Sequence, residues 1–214
     1  MSGAIAKFDH LVVAATTLET GVAWVQERLG VTVPFGGIHE HMGTHNCVGQ
    51  LTPTTFLEVI AINPDATPDR TRWFSMDDPA FHARLDAEGA FLHHWVINST
   101  DITATLAAAQ HDAGPAIPMR RAALEWQICV RDDGILPRDG ILPTVIQWPD
   151  IPHPAGKMGD LGLTLEVLHV HSTDPEKTLA ELAAIGATGF CTVHQSESNH
   201  LRADLSRAGQ RVTL

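Results

Sequence analysis

Three side chains of the types that bind metal ions lie in apolar, strand-like runs. His10 and His94 are 84 positions apart, and Glu58 lies between them. Imidazole and carboxylate groups bind Zn, Ni, Fe and Mn, and a site with three protein ligands leaves positions open for a substrate. The alternative for His10 is a strand histidine that is hydrogen-bonded by Asp9 or by the backbone.

An internal repeat would bring these residues together. FDHLVVAATTLE at 8–19 aligns without a gap with LHHWVINSTDIT at 92–103, and this alignment places His94 at the position of His10. Each copy continues with a segment of helical period and three further strand-like runs, which gives the order βαβββ. The copies also end alike, with FLEVIAINPD at 56–65 and ILPTVIQWPD at 141–150.

The repeat predicts one α+β domain over 1–214, in which tandem βαβββ modules form a curved, cup-shaped mixed sheet with helices on its convex side. In a module with strand order 1-4-3-2 the first and last strands are neighbours, so His10, Glu58 and His94 would converge on one point of the cup. The predicted divisions are module one at 6–65, a connecting helical segment at 66–90, module two at 91–150 and a shorter third βαβββ-like unit at 160–214.

His45 and Asn46 precede the hairpin that leads to Glu58. If the turn over 52–55 is a tight hairpin, His45 shares the inner face with Glu58 and would be a general base, a metal ligand or a hydrogen-bond partner. Asn46 would orient a substrate carbonyl, or it would have a turn or strand-edge role. His39, which lies earlier in the same module, is expected to be exposed.

Module two offers further candidates for substrate binding. Arg120, with its neighbour Arg121, could bind a carboxylate or phosphate at the rim of the cup, and the alternative is an exposed pair that aids solubility. Trp126 and Trp148 would line an apolar pocket or would simply be core residues. His93 is expected to face away from the cup, because neighbouring strand residues point to opposite faces.

The composition disfavours several classes of partner. The chain has 14 Lys and Arg against 25 Asp and Glu, so its formal charge of −11 repels nucleic acids and anionic lipids. No apolar run reaches the roughly 20 residues that span a bilayer, and we therefore expect a cytoplasmic protein with no membrane partner. Edge strands and paired modules are compatible with a homodimer.

Four segments resemble the glyoxalase-like domain proteins of the vicinal-oxygen-chelate superfamily, and the resemblance covers nearly the whole chain. The first-strand histidines and Glu58 are also similar to the glyoxalase I metal site and, as two histidines and a carboxylate, to extradiol dioxygenases. The resemblance implies a divalent metal (Zn, Ni, Mn or Fe) that stabilises an enolate or a related anion. The segments are GGIHEHMGTHN at 36–46, FLEVIAINP at 56–64, RTRWFSMD at 70–77 and LPTVIQWPDIPHP at 142–154.

The function that this resemblance implies is a metal-dependent isomerase, lyase or dioxygenase acting on a small oxygen-rich metabolite in the cup. Thr144 stands where glyoxalase I has a fourth ligand, a glutamate, so His45 would have to move the proton. The alternative is a metal-free protein that binds a small molecule, similar to the drug-sequestering, bleomycin-resistance members of the superfamily. A third reading is that side chains fill the cup and the chain serves in assembly.

Overall fold

A computed structural model describes residues 4–121, 123–150 and 152–214. Within the first 150 residues the order strand, helix, strand, strand, strand occurs twice, as the repeat predicts. The first copy consists of β1 (Ala6–Ala15), α1 (Leu18–Leu29), β2 (Phe35–His39), β3 (Thr44–Thr52) and β4 (Thr55–Ile62). The connecting helix is α2 (Pro79–Glu88). The second copy consists of β5 (Ala90–Ser99), α3 (Ile102–Ala108), β6 (Ala116–Arg121), β7 (Leu124–Cys129) and β8 (Thr144–Gln147).

These strands form one mixed sheet in the order β2-β3-β4-β1-β5-β8-β7-β6. The copies meet at the antiparallel pair β1 and β5, where His10 lies opposite Val96 and Val12 lies opposite His94. The two pairs correspond to each other in the repeat, so an approximate two-fold axis relates the copies. The sheet curves until its end strands, β2 and β6, contact each other. The cup-shaped mixed sheet is therefore confirmed.

The two faces of the sheet bury separate apolar clusters. The convex face carries Leu11 and packs against Val25 of α1. The concave face carries Val12, together with Trp73 and Phe74 from the segment that connects β4 to β5. Helices α1 and α3 thus cover the convex side as predicted, whereas the connecting segment fills part of the cup.

Helix α1 begins and ends at residues that its sequence indicates. The hydroxyl of Thr17 accepts a hydrogen bond from the N–H of Thr20 at 3.1 Å, which satisfies an amide that the helix leaves free. Gly30 ends the helix with φ 68°, in the left-handed region that glycine adopts without a steric penalty. The two caps set the bounds of α1, which packs above β1 and β4.

Close packing of α1 requires glycine at position 21. A Cβ atom there would lie 2.4 Å from Cγ1 of Val59 and 2.8 Å from Cβ of Ala15. We expect Gly21→Ala to lower the free energy of unfolding by about 1–3 kcal/mol through overpacking, measured by urea denaturation. Gly189→Ala is the matched control, because a Cβ atom there meets no atom within 4 Å. Equal stability of the two variants would contradict the prediction.

A third unit follows the cup and forms a sheet of its own, the C-terminal sheet. Its strand order, β10-β9-β11-β12, differs from the 1-4-3-2 order of the first two copies. One face of this sheet, with Leu168, Val170 and Leu201, packs into the cluster on the convex side of the cup. The other face points outward. The elements are β9 (Leu163–Ser172), α4 (Pro175–Ala184), β10 (Thr192–Gln195), β11 (His200–Arg207) and β12 (Gln210–Thr213).

Candidate functional site

Equivalent β-bulges shape the first strand of each copy. In the first bulge, β1 has one extra residue, Asp9, between Phe8 and His10. In the second bulge, the partner strand β5 has one extra residue, His93, opposite the step from Val12 to Val13. The extra residues, Asp9 and His93, correspond in the repeat. A bulge re-aims side chains and breaks the alternation of the two faces. The bulges therefore decide which polar groups enter the cup.

The bulge at Asp9 places an oriented ion pair at the floor of the cup. Nδ1 of His10 donates to Oδ1 of Asp9 at 2.6 Å, and its Nε2 faces Oε2 of Glu58 at 3.5 Å. All three residues are buried. The other oxygen of Asp9 accepts from Nε1 of Trp148 at 2.9 Å and from Nε2 of His153 at 3.0 Å. Asp9 thus holds the imidazole in one orientation.

Burial and charge act in opposite directions on these groups. Burial alone would lower the pKa of His10, but hydrogen bonds to Asp9 and Glu58 outweigh it and raise the pKa to about 9. Burial would raise the pKa of Glu58, whereas the hydrogen bond and charge of His10 lower it to about 2. For Asp9 the same competition ends with a lowered pKa. At neutral pH the group is therefore a carboxylate, an imidazolium and a second carboxylate.

Asn46 extends this network from Glu58 to Arg121. Its amide Nδ2 donates to Oε1 of Glu58 at 2.5 Å, and its Oδ1 accepts from the Arg121 guanidinium at 2.8 Å. His39 lies beside them, with Nε2 3.4 Å from the same guanidinium nitrogen, and it is buried. The expectation that His39 is exposed was therefore wrong, because Trp73 and Trp126 pack against its ring.

His45 lies on the opposite face of β3, and its predicted position in the cup was wrong. A tight hairpin at Thr52 and Thr55 would pair His45 with residue 62, but the register shifts between Gln50 and Thr52. Val48 consequently lies opposite Glu58, and Asn46 shares that face. A shift of one residue exchanges the faces of a strand. His45 is half-buried on the convex side, where burial lowers its pKa.

The arginine that enters the cup is Arg121 and not Arg120. The Arg121 side chain is half-buried against Gly37 of β2, so it bridges the two ends of the curved sheet. The Arg120 side chain is 75% exposed, with its Nε 4.0 Å from Glu125. Arg120 still lines the outer part of the cup. Burial lowers the pKa of Arg121, since its charge loses solvation there.

Two adjacent spaces lie in the part of the cup that stays open. An inner cavity of about 40 Å³ lies over His10 and Glu58, and an outer cleft of about 1000 Å³ opens to solvent. Arg121, Trp126 and Trp148 line both spaces and separate one from the other. Trp126 and Trp148, whose ring centroids are 5.5 Å apart, form an aromatic wall there. A ligand in the outer cleft would meet these three residues before the ion pair.

His94 is not available as a ligand in this arrangement. Its Nδ1 donates to the carbonyl of Gly140 at 2.8 Å, and its Nε2 accepts from the backbone N–H of Thr144 at 3.1 Å. The ring is fully buried beside Phe74, with ring centroids 5.3 Å apart. Both nitrogens are thus engaged on a side of the cup that the connecting segment covers.

His10, Glu58 and His94 therefore do not fit one common metal ion as they are placed. Within residues 4–121, 123–150 and 152–214, no three His, Cys, Asp or Glu side chains surround a point suited to a metal. His93 also faces the cup side, because the bulge turns it toward Phe74, whose carbonyl accepts from its Nε2 at 2.7 Å. The expectation that His93 faces away was wrong for that reason.

Several residues of the site have only a weak signal in the sequence and were not predicted as site residues. Asp9 is the centre of the hydrogen-bond network, and the only signal for it is its place directly before His10 in a strand. His153 lies in the LPTVIQWPDIPHP segment, which the family resemblance had already marked. Trp73 and Phe74 lie in RTRWFSMD, another segment of that resemblance, but only the fold shows that they fill the cup.

Comparison with known proteins agrees with the fold. Residues 8–186 match a family described as glyoxalase-like domain. No protein of curated function matches the sequence significantly. A hypothetical protein from Staphylococcus aureus is 19% identical, with a TM-score of 0.58 over 98% of this chain and 84% of that one. At this identity the likeness concerns the fold alone.

Methylmalonyl-CoA epimerases are also among the similar solved structures. A variant from Streptomyces coelicolor, in complex with 2-nitronate-propionyl-CoA, is 16% identical, with a TM-score of 0.42 over 69% of this chain and 98% of its own. The enzyme from Mycobacterium tuberculosis is 13% identical, with a TM-score of 0.42 over 66% of this chain and 87% of its own.

Proposed function

This chain belongs to the glyoxalase-like domain family of the vicinal-oxygen-chelate superfamily, and we propose that it binds a small carboxylate-bearing molecule in its cup without a three-ligand metal site. The observation that carries this proposal is the state of Arg121. Its guanidinium is half-buried where the inner cavity meets the outer cleft, and it contacts an amide and a neutral imidazole. Among the described residues it forms no salt bridge, and the Asn46 side chain stands between it and Glu58.

Arg121 is the cation of the network that lines both the inner cavity and the outer cleft. Asp9 and Glu58 carry two negative charges against the single imidazolium of His10, and the charge of Glu58 also acts on Arg121. The guanidinium lacks a direct contact with a carboxylate, and a ligand carboxylate can accept two parallel hydrogen bonds from it. A ligand carboxylate at this position would therefore gain a charge-assisted contact that the protein lacks.

The walls of the cup suit the remainder of such a ligand. Trp126 and Trp148 offer flat apolar surfaces beside Arg121, and the outer cleft has room for a larger group. Trp73 lines the inner cavity, and its buried Nε1–H has no acceptor within the described residues. A ligand oxygen in reach of this N–H would satisfy it.

Binding is favoured over catalysis because of the ion pair at the cup floor. A general acid or base works best when its pKa is near the working pH. The pKa of Glu58 is about 2 and that of His10 about 9, so each keeps its charge at neutral pH. The isomerase, lyase and dioxygenase reactions that the family resemblance implies would also need His94 as a ligand and a base inside the cup. His94 is engaged and His45 faces away.

Tryptophan fluorescence provides the test, because three tryptophans line the cup. Malonate, pyruvate and benzoate would be titrated as probes, with and without EDTA. We expect saturable quenching by at least one probe, unchanged by EDTA and weakened by about 10-fold or more in Arg121→Gln, since hydrogen bonds to a charged group contribute about 1.5–3 kcal/mol. Arg120→Gln is the matched control and should change the affinity by less than about threefold.

Two other results would contradict this proposal. Absence of saturable quenching with all three probes would remove the evidence for a carboxylate site, and loss of binding in EDTA would return the cup to metal-dependent chemistry. The homodimer and the cytoplasmic location stay predictions. No helix in the described part of the chain is long and apolar enough to cross a bilayer.

A further inference from the structure

Four histidines gather on the outward face of the C-terminal sheet, far along the chain from the cup residues. His169 and His171 alternate in β9 with the buried Leu168 and Val170, so both point away from the core. The remaining two come from the neighbouring strands. They are His194 of β10 and His200 of β11, and each is paired in register with His171.

Three of these rings form a compact triangle. The centroids of His171 and His194 are 5.0 Å apart, those of His169 and His194 are 5.1 Å apart, and those of His169 and His171 are 6.5 Å apart. With metal–nitrogen bonds of about 2.0–2.1 Å at tetrahedral angles, the centroids of two ligating imidazoles lie roughly 5 Å apart. Two of the three pairs thus already have the spacing that one tetrahedral ion requires, and the pair of His169 and His171 is wider at 6.5 Å.

A carboxylate orients one ring of this triangle. Nε2 of His169 lies 3.0 Å from Oδ2 of Asp204, which is fully buried and also accepts from Arg202 and Arg211. A carboxylate held between two guanidinium groups only accepts hydrogen bonds, so the His169 proton belongs on Nε2. Nδ1 of His169 is then left with a free lone pair. Carboxylate–histidine pairs of this kind orient ligands in metal sites.

That lone pair points at the next histidine. Nδ1 of His169 lies 2.9 Å from Nε2 of His194, and the bond between them needs a single proton, supplied by His194. In a tetrahedral site the two ligating nitrogens would be roughly 3.3 Å apart, so only a small separation would admit an ion. Moving the His194 proton from Nε2 to Nδ1 through solvent would leave the lone pairs of His169 and His194 facing one gap, beside the ring of His171.

We propose that His169, His171 and His194 bind one divalent transition-metal ion on the outward face of the C-terminal sheet, with Asp204 holding His169 in the ligating tautomer. Three neutral imidazoles select Zn²⁺, Ni²⁺ or Cu²⁺ over Mg²⁺ and Ca²⁺. Solvent occupies the remaining coordination position, because all three side chains are partly exposed. The hydrogen bond between His169 and His194 explains why the free site does not already surround one point.

This site is separate from the cup and does not rest on the function proposed for the cup. The experiment is calorimetric titration with Zn²⁺ of the full chain, purified without a metal-affinity tag. We expect one ion per chain and a loss of affinity of about 10-fold or more in His169→Gln and in His194→Gln. Mg²⁺ should produce no binding heat.

His200 supplies the matched control. Its ring stacks on His171 with centroids 4.3 Å apart, but it lies outside the triangle. His200→Gln should therefore change Zn²⁺ affinity by less than about twofold. In the unmodified protein, Zn²⁺ should shift the imidazole nitrogen signals of the three proposed ligands, and this measurement does not depend on how well any variant folds.

Several results would overturn the site. They are the absence of stoichiometric Zn²⁺ and Ni²⁺ binding, full affinity in both His169→Gln and His194→Gln, and an equally large loss in His200→Gln. Metal that disappears in His10→Ala but persists in His169→Gln would place the ion in the cup. That result would contradict the metal-free proposal for the cup as well, whereas failure of carboxylate binding alone leaves the histidine site untouched.

Discussion

Lowering the pH from 6.5 to 4 should destabilise this protein, because three imidazoles are buried in their neutral form. Over this pH range, unfolding should take up about three protons, one for each of these rings. They are His39, His93 and His94. Burial, which disfavours the charged ring, lowers the pKa of His39 and His93 to about 4 and that of His94 to about 3. A histidine with a depressed pKa adds stability above its unfolded pKa of 6.5 and loses it as the pH falls toward the folded value.

The size of this effect is comparable to the whole stability of a domain. Each shift corresponds to on the order of 3 kcal/mol, and a typical domain has about 5–15 kcal/mol in total. His10 acts with the opposite sign, because its pKa is raised to about 9. Its contribution is complete below pH 6.5 and is lost as the pH rises through 9. Together, these groups place maximal stability close to neutral pH.

Urea denaturation followed by tryptophan fluorescence at pH 7, 6, 5 and 4.5 would measure the effect. His93→Gln should reduce the slope of stability against pH by about one proton, since its amide can still donate to the Phe74 carbonyl. His82→Gln, at an exposed position of α2, is the control and should keep the slope of the unmodified protein. A flat profile between pH 6.5 and 4.5 would show that the buried rings are not neutral.

The repeat made most of the cup predictable. A gap-free alignment of two segments implied two copies of one module with the order βαβββ, and the structure has both. His10 and His94 do occupy corresponding places. His10 lies opposite Val96 and His94 lies opposite Val12, and the repeat aligns Val12 with Val96. Such features follow from local periodicity, which sequence patterns record directly.

The face of the sheet on which each side chain lies was not predictable, because it depends on the register between neighbouring strands. One extra residue near Thr52 moved His45 out of the cup and Asn46 into it, and a bulge turned His93 inward. No residue type marks these bulges in the sequence. The choice between Arg120 and Arg121 is of the same kind, since neighbours on a strand differ only in which face they occupy.

The contents of the cup depended on contacts between distant segments. The sequence predicts a connecting helical segment at 66–90, but Trp73 and Phe74 of this segment pack on the concave face, and Phe74 lies beside His94. Phe74 and Ser75 both have φ near 57°, an unfavourable backbone conformation for such residues. Packing against the sheet must stabilise that turn, and packing of this range leaves no local sequence signal.

Replacing Asp9 with asparagine should have the largest effect of any single isosteric change, with a loss of about 3–5 kcal/mol in the free energy of unfolding at pH 7. The Asp9 carboxylate is fully buried and bonds His10, Trp148 and His153. Removing one member of a buried ion pair leaves its partner charged and desolvated, which costs far more than the pair contributes. The pKa of His10 should fall in the same variant.

The surface of the protein offers an almost identical pair as a control. Nδ1 of His41 lies 2.7 Å from Oδ2 of Asp69, against 2.6 Å for His10 and Asp9, but the His41 and Asp69 side chains are 54% and 70% exposed. Exposed ion pairs contribute little, so Asp69→Asn should change stability by less than about 0.5 kcal/mol.

Because the two histidine–aspartate contacts share their geometry, the difference between these variants measures the burial of Asp9 together with its bonds to Trp148 and His153. Urea denaturation would give the two free energies, and NMR titration of the His10 ring would give its pKa in each protein. A large loss in Asp9→Asn with a lowered His10 pKa means that the ion pair is charged and holds the cup floor. If Asp9→Asn were as harmless as Asp69→Asn, the floor would be neutral or open to water. His10 and Glu58 could then exchange protons at neutral pH, and catalysis would become a better account of the cup than binding.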